Sequence, residues 1–153
     1  MNKLLLAAAV LLGSGCAGMM GGKDEASADF DKETNASDLQ VKEQRVRSSL
    51  AKIETSLADY TKTEKAIPAK LERLVPKYLA GIPTLDLPVC GHETDKVEVY
   101  SADVLRDGQV DGSRIRGSGR WGYVFNDHQV VVFIDCLKPS TRGVPWYQER
   151  GVY

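Results

Sequence analysis

Apolar and polar positions follow different rhythms along this chain, and each rhythm predicts a different element. Leu39, Val46, Leu50, Ile53, Leu57 and Tyr60 recur at steps of seven, four, three, four and three. That period places them on one side of a helix, with Lys, Glu, Arg and Asp on the other. Ser37 is a suitable N-cap, and the pattern reaches about Thr63, a rod of about 40 Å at the helical rise. One apolar face and fewer than four clean heptads predict packing on a sheet rather than a coiled coil.

The next stretch, AIPAKLERLVPKYLAGIP at 66–83, keeps helical spacing but is fenced by proline. Leu71, Leu74, Val75, Tyr78 and Leu79 fall on one face, while Pro68 suits a first helical turn. Pro76 disfavours helix at Val75, Gly81 permits a terminal turn and Pro83 blocks a restart. A short connector is expected, its Leu71, Leu74 and Tyr78 face closing the core.

Beyond it the period falls to two. Residues 97–100, 121–125 and 129–135 read as strands, the last two joined by a tight turn at Asn126-Asp127-His128. The run VVVFI at 130–134 is apolar on both faces, which predicts a central strand with α-helix over one side. DGQVDGSRIRGSG at 107–119 reads as a loop or irregular hairpin, and the tail from Lys138 as mostly extended. The expected fold is α+β, one long N-terminal helix on a small antiparallel sheet of three to four strands.

The front of the chain is different. Lys3 precedes an apolar run of nine residues, Leu4 to Leu12, then Gly13-Ser14-Gly15-Cys16. Nine residues are too few to span a bilayer core of about 30 Å but suit the apolar part of a signal peptide. The block resembles a bacterial lipoprotein signal, with Gly13 where a large aliphatic residue is usual. The resemblance implies cleavage after residue 15 and lipid on Cys16, anchoring the chain without a spanning helix. Ala17, rather than Asp, after that cysteine implies the outer membrane, facing the periplasm or the cell surface. Residues 16–36 then form a Gly-, Ser- and acid-rich tether, and 37–153 a single domain.

Three cysteines agree with export. With Cys16 lipidated, Cys90 and Cys136 remain as a pair in an oxidising compartment and are expected as a disulfide. A metal site on Cys90 and His92 would need two further ligands, and none is suitably spaced. Formal net charge is −1, which gives no bias toward nucleic acid.

Three motifs in order, over most of the mature chain, resemble the globular half of type IV pilins and type II secretion pseudopilins. They are IPAKLERLVPKYLAGIP after the long helix, DGSRIRGSGRWGYVFNDHQVVVFIDC, and the tail RGVPWYQ. The resemblance implies a pilin-like head acting through protein contacts, with pilins, pseudopilins or secretion-system components as partners. The front departs from that family, since a lipoprotein-type signal stands where a prepilin leader and its apolar helix would be.

Candidate chemistry is sparse. His128 falls in the hairpin turn, and no Ser or Cys is placed beside a histidine as a nucleophile would be. Asp107 and Asp111, around Gly108, are the candidates for calcium, although Asp-Gly pairs ordinarily make turns. No other cofactor is implied. Trp121 and Tyr123 are expected in the core, while Trp146 and Tyr147 are the candidates for a protein interface. The expected function is a non-enzymatic, envelope-anchored accessory of a secretion or pilus system. A filament subunit and a small-ligand-binding lipoprotein are the alternatives.

Overall fold

A computed structural model describes residues 24–151, with side chains from residue 32 onward. The chain divides into two units, residues 1–34 and 35–153. Of the first, residues 24–34 are described and are helical. The sheet and the core belong to the second. The expected signal sequence and Cys16 lie outside the described residues.

Helix α1 spans Asp24–Glu64. It begins before Ser37, so the expected N-cap is an interior position, and residues 24–36, expected in the tether, are helical. No Gly or Pro occurs anywhere in the helix, so nothing in that earlier stretch forbids the fold from continuing backward. The apolar stripe packs as its period requires. Val46, Leu50, Ile53 and Leu57 are buried, and Tyr60 packs against them.

Among the described residues five strands follow: β1 (Val97–Tyr100), β2 (Leu105–Arg106), β3 (Gln109–Val110), β4 (Trp121–Phe125) and β5 (Val130–Ile134). The main sheet has the order β1-β4-β5, and β2 and β3 form a separate hairpin. β4 and β5 are antiparallel, but β1 runs parallel to β4, Val97 opposite Trp121 and Tyr100 opposite Val124. The sheet is therefore mixed, not antiparallel as expected. Residues 101–120 form a crossover long enough to return the chain to the starting end of β1, which parallel pairing requires. The β2–β3 hairpin within it turns at Asp107 and Gly108, with φ of 51° and 78°. Two-residue hairpin turns favour such backbone.

Both faces of the main sheet are covered. Trp121, Tyr123, Val132 and Ile134 join the α1 stripe in one core. Val124 and Phe133 join Tyr100, Val104, Val110 and Ile115 in a second, so the crossover covers the other face. The doubly apolar run of β5 thus reflects burial on two sides, although β5 is an edge strand and β4 the central one. A side chain at Gly122 would run into the ring of Phe133, so this register needs glycine there.

The proline-fenced stretch makes a single 3-10 turn, Leu71–Leu74. Leu71 and Leu74 are buried and Tyr78 packs beside them, whereas Val75 stays partly exposed. The Val75–Pro76 peptide is cis. Prolines remove N–H donors but leave carbonyls, and the stretch is held by its carbonyls. Tyr123 donates its hydroxyl to the Pro68 carbonyl at 2.5 Å, Trp121 Nε1 to Pro83 at 2.7 Å and Ser56 Oγ to Tyr78 at 2.9 Å. Cys90 and Cys136 form the expected disulfide, Cα–Cα 5.6 Å. It ties the loop closed by the Leu85–Thr94 bridge to the residue two past the end of β5.

Candidate interaction surface

The tail folds back on α1 through charge. Pro139 pairs with Pro145, Ser140 N–H donates to the Val144 carbonyl at 2.8 Å, and Trp146–Gln148 makes a 3-10 turn. Glu149 then returns toward Ser140, whose Oγ donates to Oε1 at 2.6 Å. Arg47 donates to the same carboxylate from Nε at 3.2 Å and from Nη2 at 2.9 Å, and from Nη2 to Glu43 Oε2 at 3.1 Å. Glu43 also accepts from Thr141 N–H at 2.9 Å and from Thr141 Oγ1 at 2.5 Å.

These three charged side chains are 4% exposed or less. The Arg47 guanidinium lies 5.0 Å from the centroid of the Trp146 ring, a cation–π arrangement. Arg142, half exposed, brings a second positive charge to 3.7 Å from Glu149. Burial pushes the Glu149 carboxyl up, but the hydrogen bonds from Arg47 and Ser140 outweigh it. With the charges of Arg47 and Arg142, they hold Glu149 below the ordinary carboxylate range.

A second buried carboxylate organises the crossover. Asp135 is fully buried and accepts from Gly117 N–H at 2.8 Å, Ser118 N–H at 2.9 Å and Tyr100 hydroxyl at 2.7 Å. Tyr100 in turn accepts from Arg116 N–H at 3.0 Å. Burial raises the Tyr100 hydroxyl to about 12, assisted by the hydrogen bond and charge of Asp135.

Along the free side of β5 runs a groove of about 660 Å³. It is lined by Glu54, Leu57, Ala58, Thr61 and Lys62 of α1, by Val130, Val131 and Val132 of β5, and by Gly108 and Arg150. Asn126 N–H bonds to Gln129 O, and Asp135 N–H to Arg120 O. By antiparallel alternation, Val130 and Val132 turn their own N–H and C=O groups away from β4, toward the sheet edge. Apolar side chains and outward backbone groups therefore occur together here, the combination that extended peptides recognise.

The expected site residues are scattered. His92 and His128 are both exposed, and Cys90 is consumed by its disulfide. Asp107 occupies the hairpin turn, while Asp111 accepts from Ser113 N–H at 3.0 Å and faces Arg114 at 3.7 Å. Among the described residues, no three His, Cys, Asp or Glu side chains gather as a cation site. Trp146 is fully buried under Arg47, which removes it from the surface as an interface anchor. Tyr147 is half-buried, its ring over Gly112.

Glu43, Arg47, Asp135 and Glu149 were not singled out by sequence. One signal was present: Glu43 fills the gap of seven between Leu39 and Val46 in the apolar stripe, with Arg47 one turn on. Among the described residues, no helix is long and apolar enough to cross a membrane. No protein-family model, curated protein or solved structure matches the chain.

Proposed function

We propose that this chain is a lipid-anchored cell-envelope protein without enzymatic activity, whose α+β domain acts through protein–protein contacts. Its system would be type II secretion or a type IV pilus, as an accessory rather than a filament subunit. One observation carries the reading. The three stretches that resemble pilins meet in one hydrophobic core, Leu71 and Leu74 with Trp121, Tyr123, Ile134 and Cys136, and Trp146. The groove beside β5 adds a surface with the chemistry of a peptide contact. The resemblance of the front to a lipoprotein signal favours an accessory over a subunit.

The test is photo-crosslinking in intact envelopes, with a photoreactive residue at Lys62, an exposed position on the groove wall. Mass spectrometry is expected to find a pilin, pseudopilin or secretion-system subunit cross-linked there, and acylated Cys16 at the mature terminus. Filaments formed by the purified chain alone would overturn the accessory reading, and an unmodified terminus elsewhere would overturn the anchor.

A further inference from the structure

We propose that residues 139–149 form an acid-released strap, which undocks from α1 when Glu149 takes up a proton while the sheet remains folded. The strap meets α1 through the charge cluster and through Trp146, which is buried in the main core beneath Arg47. Glu149 and Thr141 reach Arg47 and Glu43, and Ser140 closes the strap on Glu149. The titratable and charged groups gathered there are Glu43 and Arg47 from α1, Arg142 from the turn, and Glu149 with Arg150 beside it. Arg47 and Arg142 both face the Glu149 carboxylate. Protonating Glu149 removes its negative charge from beside Arg47 in a site that excludes water, where lost pairing is costly.

A second observation points to the same segment. Trp146 is fully buried, yet its Nε1 has no hydrogen-bond partner among the described residues. An unpaired buried donor weakens the closed state, because water would satisfy it once the strap opened. The sheet beneath has an independent tie, since the Cys90–Cys136 disulfide holds the residue at which Tyr147 N–H docks. Opening can therefore stop at the disulfide, uncovering Trp146 and the Arg47 side of α1.

The sign is set by Glu149, whose folded-state affinity for the proton is lowered. The docking it supplies is complete above the ordinary carboxylate range and is lost as pH falls below it. Hydrogen exchange of the full chain, corrected for intrinsic rates, is followed by mass spectrometry from about pH 7 to about pH 3. Peptides from 139–149 are expected to lose protection below about pH 4, by about tenfold per pH unit, while peptides from 121–134 keep theirs. Glu149→Gln is expected to open the strap at neutral pH and to flatten that dependence. Simultaneous loss in strap and sheet would overturn the proposal, as would a wild-type pH profile in Glu149→Gln. If that variant fails to fold, the wild-type profile decides alone.

Discussion

Arg47 and Glu149 form a buried ion pair, Nη2 to Oε1 2.9 Å, between residues 102 positions apart in the chain. The pair is the centre of the contact between α1 and the tail, and Glu43 and Trp146 enclose it on two further sides. Burying charge costs so much that such a pair need not stabilise more than apolar residues of equal volume would. Removing one partner is a different matter, because the other is left buried and uncompensated.

Arg47→Ala is therefore expected to destabilise the domain by about 3–5 kcal/mol, since Glu43 loses its cation and Glu149 keeps only the half-exposed Arg142. Urea unfolding checks this. A double-mutant cycle with Glu149→Ala is expected to show strong coupling, the second substitution costing much less than the first. Equal and additive losses would mean that the two side chains act separately.

Alkaline titration tests the Asp135 centre. Tyr100 is raised to about 12 by burial and by Asp135, so the neutral hydroxyl is favoured in the folded state. The stability it supplies is fully present below about pH 10, the ordinary tyrosine value, and is lost as pH rises from there toward about 12. Burial raises Tyr123 as well. Ultraviolet titration is expected to show these two tyrosines ionising late, and Tyr100→Phe to remove one of the late steps.

Gly122→Ala places a methyl group into the Phe133 ring. Overpacking of this kind costs about 1–3 kcal/mol, so the midpoint of urea unfolding is expected to fall without a change in slope. Phe133→Leu in the same chain is expected to recover part of the loss, because the obstructing ring is gone. No recovery would mean that Gly122 serves its backbone rather than its neighbour.

The disulfide gives the simplest check. Non-reducing peptide mapping is expected to link Cys90 with Cys136, which stand 5.6 Å apart at Cα. Reduction is expected to lower stability by about 2–4 kcal/mol, the usual value for a bridge closing a loop of this length. Free thiols on both residues in the protein isolated without reductant would contradict the link.

Much of this was legible along the chain. The α1 stripe from Val46 to Tyr60, the tight turn after Phe125 and the core role of Trp121 and Tyr123 follow from period and turn chemistry, which need only neighbouring residues. The cysteine pair follows from the cysteine count of the whole chain. The start of α1 was misplaced because Ser37 is a good cap wherever it falls, and a helix with no breaker before it need not stop there. β5 read as central because an apolar run reports burial on both faces, and a covered edge strand gives the same run.

By itself, then, the sequence determined the buried stripe of α1 and the places of β1, β4 and β5, since helical and strand periods are properties of contiguous residues. It did not determine β2, β3 or the start of α1. Tertiary structure alone decided that β1 lies parallel to β4, because strand direction depends on where a crossover returns rather than on any residue in the strand. It alone joined Glu43 and Arg47 to Glu149, and Asp135 to Tyr100. A charged residue reads as solvent-facing until a distant partner arrives to satisfy it in the interior, and only the fold brings those partners together.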